Sequence, residues 1–400
     1  MPIINSEIQN DYQLIIGVDA RTAMATGRGW RRYATQFLRA ASIQQQVKFR
    51  VVLPDNEYCR TFASKIDEIE WFFEEFHSRP DESGCDVVMG RETEDILAQN
   101  GGIDIYHSLT RFLARTQIRP VVVTVHDIAP LSNPPFKETL RESTRVAVRR
   151  MVDYDAAVIA VSGFTRDELL KYTPINDERI QVISPGSDSF DETSYFGINS
   201  NPEIKIPDCN SRERVVLYIG GCGENKNLTR LIESIELQNE REPTVLWMVG
   251  DPDWGYSENW NENQTTRNVP TVFLGGIPDV QVPTIFSRAD ILVMPSLHEG
   301  FGLPLVEAMR FGVPVCCSDI PVFREVAGGA GWYFDPADSR SMHEVFTECF
   351  GNDRERKEKI AAGLAKSATY LWEKHMKEVI DCYVEEFRRC TLRTEKGARL

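Results

Sequence analysis

Short runs of apolar, mostly β-branched residues recur along the chain, each divided from the next by a stretch of helical pattern. In the first half they are QLIIGVD (13–19), FRVVLP (49–54), DVVMG (86–90), DIYHS (104–108), VVVTVHD (121–127) and AAVIAVS (156–162). A strand that is apolar nearly throughout has both faces buried, which marks a parallel sheet covered by helices on each side. A second series follows: RVVLYIG (214–220), TVLWMVG (244–250), TVFLG (271–275), DILVMP (290–295) and VPVCCS (313–318). Between the two series, residues 187–213 are polar, rich in Asn, Ser and Pro, and without period; they read as a linker. Thr165 and Glu168 have capping-box spacing and Ser162 offers a second cap, so a helix is expected to begin there. The pattern predicts an α/β protein of two doubly wound, Rossmann-like parallel-sheet domains. Ligands of such sheets bind beyond the C-terminal strand ends, which between two domains means a cleft.

Composition narrows function more than fold. The net charge is −15, from 45 Lys and Arg against 60 Asp and Glu. That speaks against nucleic acid as a main partner, since phosphate contacts need clustered cations. In residues 111–150 Lys and Arg outnumber the acids. This N-terminal region therefore offers a cationic patch for an anionic acceptor or for peripheral contact with a membrane surface, although RESTRVAVRR (141–150) reads first as a solvated helix face. Nine cysteines without a CxxC pair read as free thiols in a reducing compartment. Six histidines form no HxxxH or HExxH set, so no metal site is expected. The start MPIINSEIQNDYQ lacks the features of a signal peptide, and no run approaches a membrane span. The cytoplasm is the expected location.

One stretch carries chemistry: SLHEGFGLPLVEAMRFG, residues 296–312. A buried strand ends just before it. Pro304 suits the first position of a short helix, because its missing N–H would be unbonded there anyway. Gly312 closes that helix and Pro314 prevents its resumption. The helix start then offers backbone donors, expected to include Leu305 and Val306, together with a partial positive charge, and both attract phosphate oxygens. Gly300 and Gly302 let a phosphate come close to the backbone. Glu307 in the first turn is placed to accept from the two hydroxyls of a ribose. Glu299, on the other side, is placed to accept from sugar hydroxyls.

The run from Ser296 to Pro336 closely resembles the signature of glycosyltransferase family 4, the retaining "group 1" transferases of GT-B fold. Their hallmark is a pair of glutamates with seven residues between them, matched here by Glu299 and Glu307. The resemblance extends to GVDARTAMATGRGWRRYATQFLRA (17–40), VVTVHDIAPL (122–131), VLYIGGCGENKNLTRLIES (216–234) and ATYLWEKHMKEVIDCY (368–383). It implies an acceptor-binding domain over 1–200, a nucleotide-sugar-binding domain over 201–375, and a C-terminal helix over 376–400 that crosses back to the first domain. It implies transfer of a sugar from a nucleotide-diphosphate sugar to a hydroxyl of a saccharide or lipid-linked saccharide, with no metal and no cofactor. Glu299, Lys226 and His126 would be catalytic. Gly300, Phe301, Gly302, Leu303, Leu305, Val306 and Glu307 would bind the donor, joined from the first domain by Gly27, Arg28 and Gly29. Asp127 would stand on the acceptor side. The family usually has Arg-Lys-Asn where this chain has Asn225-Lys226-Asn227. One expected positive charge is thus absent, and Arg28 is the candidate to replace it.

His107 and Glu325 also recur in the family but read as structural. GGCGEN lacks the third glycine of a dinucleotide fingerprint, and no P-loop motif exists. Asp251-Pro252-Asp253 and Asp153-Tyr154-Asp155 imitate a metal-binding pair of another transferase fold, and read as turns. Two rival readings stand beside the transferase. One is another GT-B enzyme, but epimerases lack the paired glutamates and no pyridoxal-binding lysine of a phosphorylase can be located. The other is a non-catalytic nucleotide-sugar-binding subunit, supported by Asn225 alone.

Overall fold

A computed structural model describes residues 13–20, 28–54, 85–90, 97, 102–132, 136–188, 213–250, 269–277 and 281–397, with backbone alone at 28, 53–54, 85–90 and 394–397. Two parallel sheets organise it. The first has seven strands in the order β3-β2-β1-β4-β5-β6-β7. They are β1 Ile15–Asp19, β2 Lys48–Pro54, β3 Cys85–Gly90, β4 Ile105–Ser108, β5 Val121–Val125, β6 Ala157–Ala160 and β7 Ile180–Val182. The second has six, ordered β10-β9-β8-β11-β12-β13. These are β8 Arg214–Ile219, β9 Thr244–Val249, β10 Thr271–Gly275, β11 Ile291–Met294, β12 Val315–Ser318 and β13 Gly331–Phe334.

Strand order reverses between β1 and β4 in one sheet and between β8 and β11 in the other. At such a switch point the flanking loops run apart and leave a crevice. Lys226 follows β8 and Glu299 follows β11, so both lie at the crevice of the second sheet.

The helices that matter for the site are α1 Arg28–Ser42, α2 Glu138–Asp153, α3 Gly163–Tyr172, α4 Leu228–Asn239, α5 Leu303–Arg310, α6 Pro321–Ala327 and α7 Trp372–Gly397. Ser162 is the cap of α3, its hydroxyl accepting from the Thr165 amide at 3.0 Å. Glu168 does not return to that cap; it turns toward the second domain, as shown below. Among the described residues no helix is long and apolar enough to cross a membrane.

Helix α7 returns to the first domain. Its Trp372, Met376, Val379, Ile380, Cys382 and Tyr383 are buried in one core with Ile16, Val18, Phe37 and Phe49. Apolar burial supplies the bulk of such docking, and polar bonds fix its register. Tyr383 Oη meets His107 Nδ1 at 2.6 Å, and His107 Nε2 meets Thr124 Oγ1 at 2.9 Å. The Arg179 guanidinium donates to both oxygens of Glu386, at 2.6 and 2.8 Å. Asp155 takes Arg389 at 3.0 Å and Arg393 at 2.5 Å. His107 is therefore structural, and Asp155 belongs to an ion cluster in a turn. Asp251 and residues 189–212 of the expected linker lie outside the described residues.

Candidate active site

The site is assembled by two loops of the second domain and a seam with the first. After β8 the chain makes a single turn at Glu224–Lys226 and reaches Asn227 at φ 57°, ψ 34°, a left-handed conformation that Asn tolerates. Asn227 Nδ2 donates to the carbonyls of Pro295 at 3.1 Å and Pro336 at 2.8 Å, while its Oδ1 accepts from Arg230. The Leu297 amide donates to the Asn225 carbonyl at 2.8 Å. These bonds tie the two loops together. They bring Lys226 Nζ to Glu299 Oε1 at 2.5 Å, with Ser296 Oγ donating to the same oxygen at 2.7 Å. The pair is only partly covered, so it can open to a ligand. Asn227 was not singled out by sequence reasoning; its place between a turn lysine and a helix start was the available signal.

Helix α5 opens one residue earlier than expected. Leu303, not Pro304, is its first residue, and Gly302 is the cap at φ 96°. The Leu305 amide bonds to the Gly302 carbonyl at 3.0 Å. Val306 falls at the fourth helical position, where the amide belongs to the helix. The expected donors at Leu305 and Val306 are thus spent, and the register leaves the amides of Gly302 and Leu303 outside the intrahelical set. The side chains of Phe301, Leu305 and Val306 are buried in the second-domain core, so these residues can meet a ligand only through main chain.

Glu307 is 2 % exposed. Its carboxylate does not stand open to the cleft: Arg32 Nε, from α1 of the first domain, lies 2.7 Å from Oε1. Sequence reasoning missed Arg32, which sits one helical turn after Arg28. Gly300 also belongs to the seam. A Cβ there would lie 1.6 Å from the His126 carbonyl oxygen. The glycine is therefore required by the close approach of the two domains, whatever else it permits.

His126 Nε2 lies 3.0 Å from the Leu109 carbonyl, which can only accept. The ring packs edge-on to Tyr33 at 4.6 Å and beside Trp30 at 6.4 Å. Burial lowers its pKa to about 4, against the opposing pull of the Leu109 carbonyl and Asp127. The imidazole is therefore neutral at physiological pH, with Nε2–H donating and Nδ1 left as an acceptor. Asp127 Oδ1 accepts from the Ala129 amide at 3.1 Å and stands 3.5 Å from Arg111. Gly29 is exposed, and a Cβ there would meet nothing within 4 Å. Gly27 and the Arg28 side chain lie outside the described residues.

Glu325 reaches from α6 to the start of α3, where its two oxygens accept from the amides of Gly163 at 2.8 Å and Phe164 at 2.9 Å. A carboxylate at a helix start offsets the unpaired donors there, so Glu325 is a clasp between domains. Among the described residues no group of three or more His, Cys, Asp or Glu side chains is arranged to hold a metal.

Two family models match the chain. "Glycosyltransferase Family 4" covers residues 29–189 and "Glycosyl transferases group 1" covers residues 200–367. O-antigen chain mannosyltransferase B of Escherichia coli is 28 % identical over 288 residues, 70 % of this chain and 74 % of its own length. O-antigen chain mannosyltransferase RfbU of Salmonella typhimurium is 28 % identical over 231 residues, 57 % of this chain and 60 % of its own length. The chain thus spans less than two thirds of that second relative. Among solved structures, Anabaena Alr3699/HepE in complex with UDP-glucose superposes with a TM-score of 0.67 at 18 % identity, covering 93 % of this chain and 100 % of that one. That likeness is one of fold. With one model on each sheet domain and the paired glutamates at the crevice of the second, the chain belongs to the family 4, group 1 glycosyltransferases of GT-B fold.

Proposed function

We propose that this chain moves a hexose or deoxyhexose from a nucleotide-diphosphate sugar to a hydroxyl of a saccharide or lipid-linked saccharide, with retention of configuration and without a metal or cofactor. The observation that carries the reading is the Lys226–Glu299 pair at 2.5 Å, set at the switch point of the second sheet beside the start of α5. A diphosphate there would take Lys226 as counter-ion and the amides of Gly302 and Leu303 as donors. Glu299, released from Lys226, would accept from hydroxyls of the donor sugar. A ribose would take over the Glu307 carboxylate from Arg32. Neutral His126 would offer Nδ1 to a sugar hydroxyl, and Asp127 would face the acceptor. The anomeric C–O bond to phosphate breaks, the acceptor oxygen bonds to that carbon on the same face, and the acceptor proton passes to the leaving phosphate. Fixed charges aimed at the growing negative charge lower the barrier most in such a step.

The relatives' names supply the first sugar to try, mannose, and the first setting, surface polysaccharide assembly. A cytoplasmic location with peripheral membrane contact is part of the same reading. The membrane contact alone draws on α2, which carries Arg141, Arg145, Arg149 and Arg150, two of them paired with Glu138 or Glu142, beside the exposed Leu140, Val146 and Val152. The test is a panel of nucleotide sugars offered with saccharide acceptors, with and without chelator. One donor is expected to be consumed, the product anomer to match the donor by NMR, and chelator to leave the rate unchanged. Binding of nucleotide sugars without turnover across the panel would favour the non-catalytic subunit; no binding would end the proposal.

A further inference from the structure

The turn at residues 297–300 is held from both domains. On the second-domain side, Leu297 is tied to Asn225 and Glu299 to Lys226 and Ser296. On the first-domain side, the Gly300 carbonyl accepts from Ser162 Oγ at 2.7 Å and Thr165 Oγ1 at 3.2 Å. Between these lies a side-chain link that the proposed transfer chemistry does not use. His298 Nε2 stands 3.0 Å from each oxygen of Glu168, at 7 % and 8 % exposure respectively. Ser132 Oγ, at 3.4 Å, is a third neighbour of that nitrogen.

We infer that His298 is a positioning residue for transfer: held as an imidazolium by Glu168 across the domain boundary, it fixes the 297–300 turn and thereby the carboxylate of Glu299. The inference rests on the proposed transferase reading for its effect on rate, but not for the existence of the clasp. Nε2 is equidistant from both carboxylate oxygens, and an imidazolium gives this buried carboxylate the counter-charge that a neutral ring does not. The groups facing His298 are Glu168 from α3, Asp127 from the loop after β5, Glu299 from its own turn, and the Phe164 ring at 5.5 Å. Arg111 lies behind Asp127, and Lys226 pairs Glu299. Burial alone would lower the pKa of His298; the bond to Glu168, helped by Asp127 and Glu299, overrides it and raises the pKa above the ordinary 6.5. The sign follows: the clasp is complete below that ordinary value and weakens as pH rises through the raised one.

The experiment is an NMR titration of the histidine ring protons beside a pH profile of transfer, for wild type, H298Q and E168Q. Burial sets His107 near 3 and both His126 and His375 near 4, and lowers His343 as well. The His298 signal, assigned by its loss in H298Q, is expected to titrate above 6.5 and to move down by about 1–3 pH units in E168Q. Transfer by the wild type is expected to fall through the same midpoint, with that limb absent in H298Q and displaced to lower pH in E168Q. A midpoint at or below 6.5, or an unchanged alkaline limb in H298Q, would overturn the inference. Should H298Q fail to fold, the ring signal that titrates above 6.5 in the wild type and moves down in E168Q identifies His298, and E168Q carries both readouts. A wild type that consumes no donor would end the transferase reading and the rate effect, while the midpoint still decides whether the clasp exists.

Discussion

Gly300 is held to glycine by backbone from the other domain. The sequence marks it as a place where backbone must come close to something, and phosphate was the expected visitor. The structure puts the His126 carbonyl there, 1.6 Å from any added Cβ. Backbone on both sides leaves nothing flexible to yield. Gly300→Ala should therefore part the seam, at an overpacking cost of about 1–3 kcal/mol, with loss of transfer; a melting curve and a donor-consumption assay check this. Glu299 and Glu307 are singled out by their spacing around a helix start, and Lys226 by the family resemblance; the structure sets Lys226 against Glu299 and Glu307 against Arg32. Arg32, Glu168, His298 and Asn227 were not legible in this way. Glu168 and His298 stand 130 positions apart in the chain, and no local spacing reveals such a pair.

At the scale of elements, the strands at the sheet centres were legible because burial on both faces writes a continuous apolar run. Strands β7 and β13 were not: β7 has three residues, β13 opens on a glycine, and each lies at a sheet edge. Helix boundaries shifted by small, explicable amounts. Ser162 rather than Thr165 caps α3: its backbone is extended and its hydroxyl accepts from the Thr165 amide. Leu303 rather than Pro304 opens α5, because Gly302 adopts the left-handed turn that begins it. Helix α7 is held to the first domain by packing and by the Arg179–Glu386 pair, whose side chains are 10 % and 8 % exposed. Removing Glu386 leaves the buried Arg179 with Asp155 alone, at 3.2 Å, and takes an acceptor from Arg389 as well. Glu386→Ala should cost about 1.5–3 kcal/mol, the loss of hydrogen bonds to a charged group, seen as an earlier midpoint in denaturant unfolding; a change within error would show that packing alone docks the helix.

Across the whole molecule, two domains of Rossmann order meet through backbone-close and charged contacts: His126 with Gly300, Arg32 with Glu307, Glu168 with His298, and Glu325 with the start of α3. Domain closure in such architectures excludes water and completes a site, and here the turn that joins the seam also carries Glu299. The most direct test of that arrangement is calorimetric titration of the full chain and its Lys226→Ala variant with the nucleotide sugar that the donor panel selects. One donor per chain is expected to bind the wild type, and the variant is expected to bind at least about tenfold more weakly, since a charge-assisted bond of this kind contributes about 1.5–3 kcal/mol. Equal affinity for the two proteins would contradict the placement of the diphosphate at Lys226.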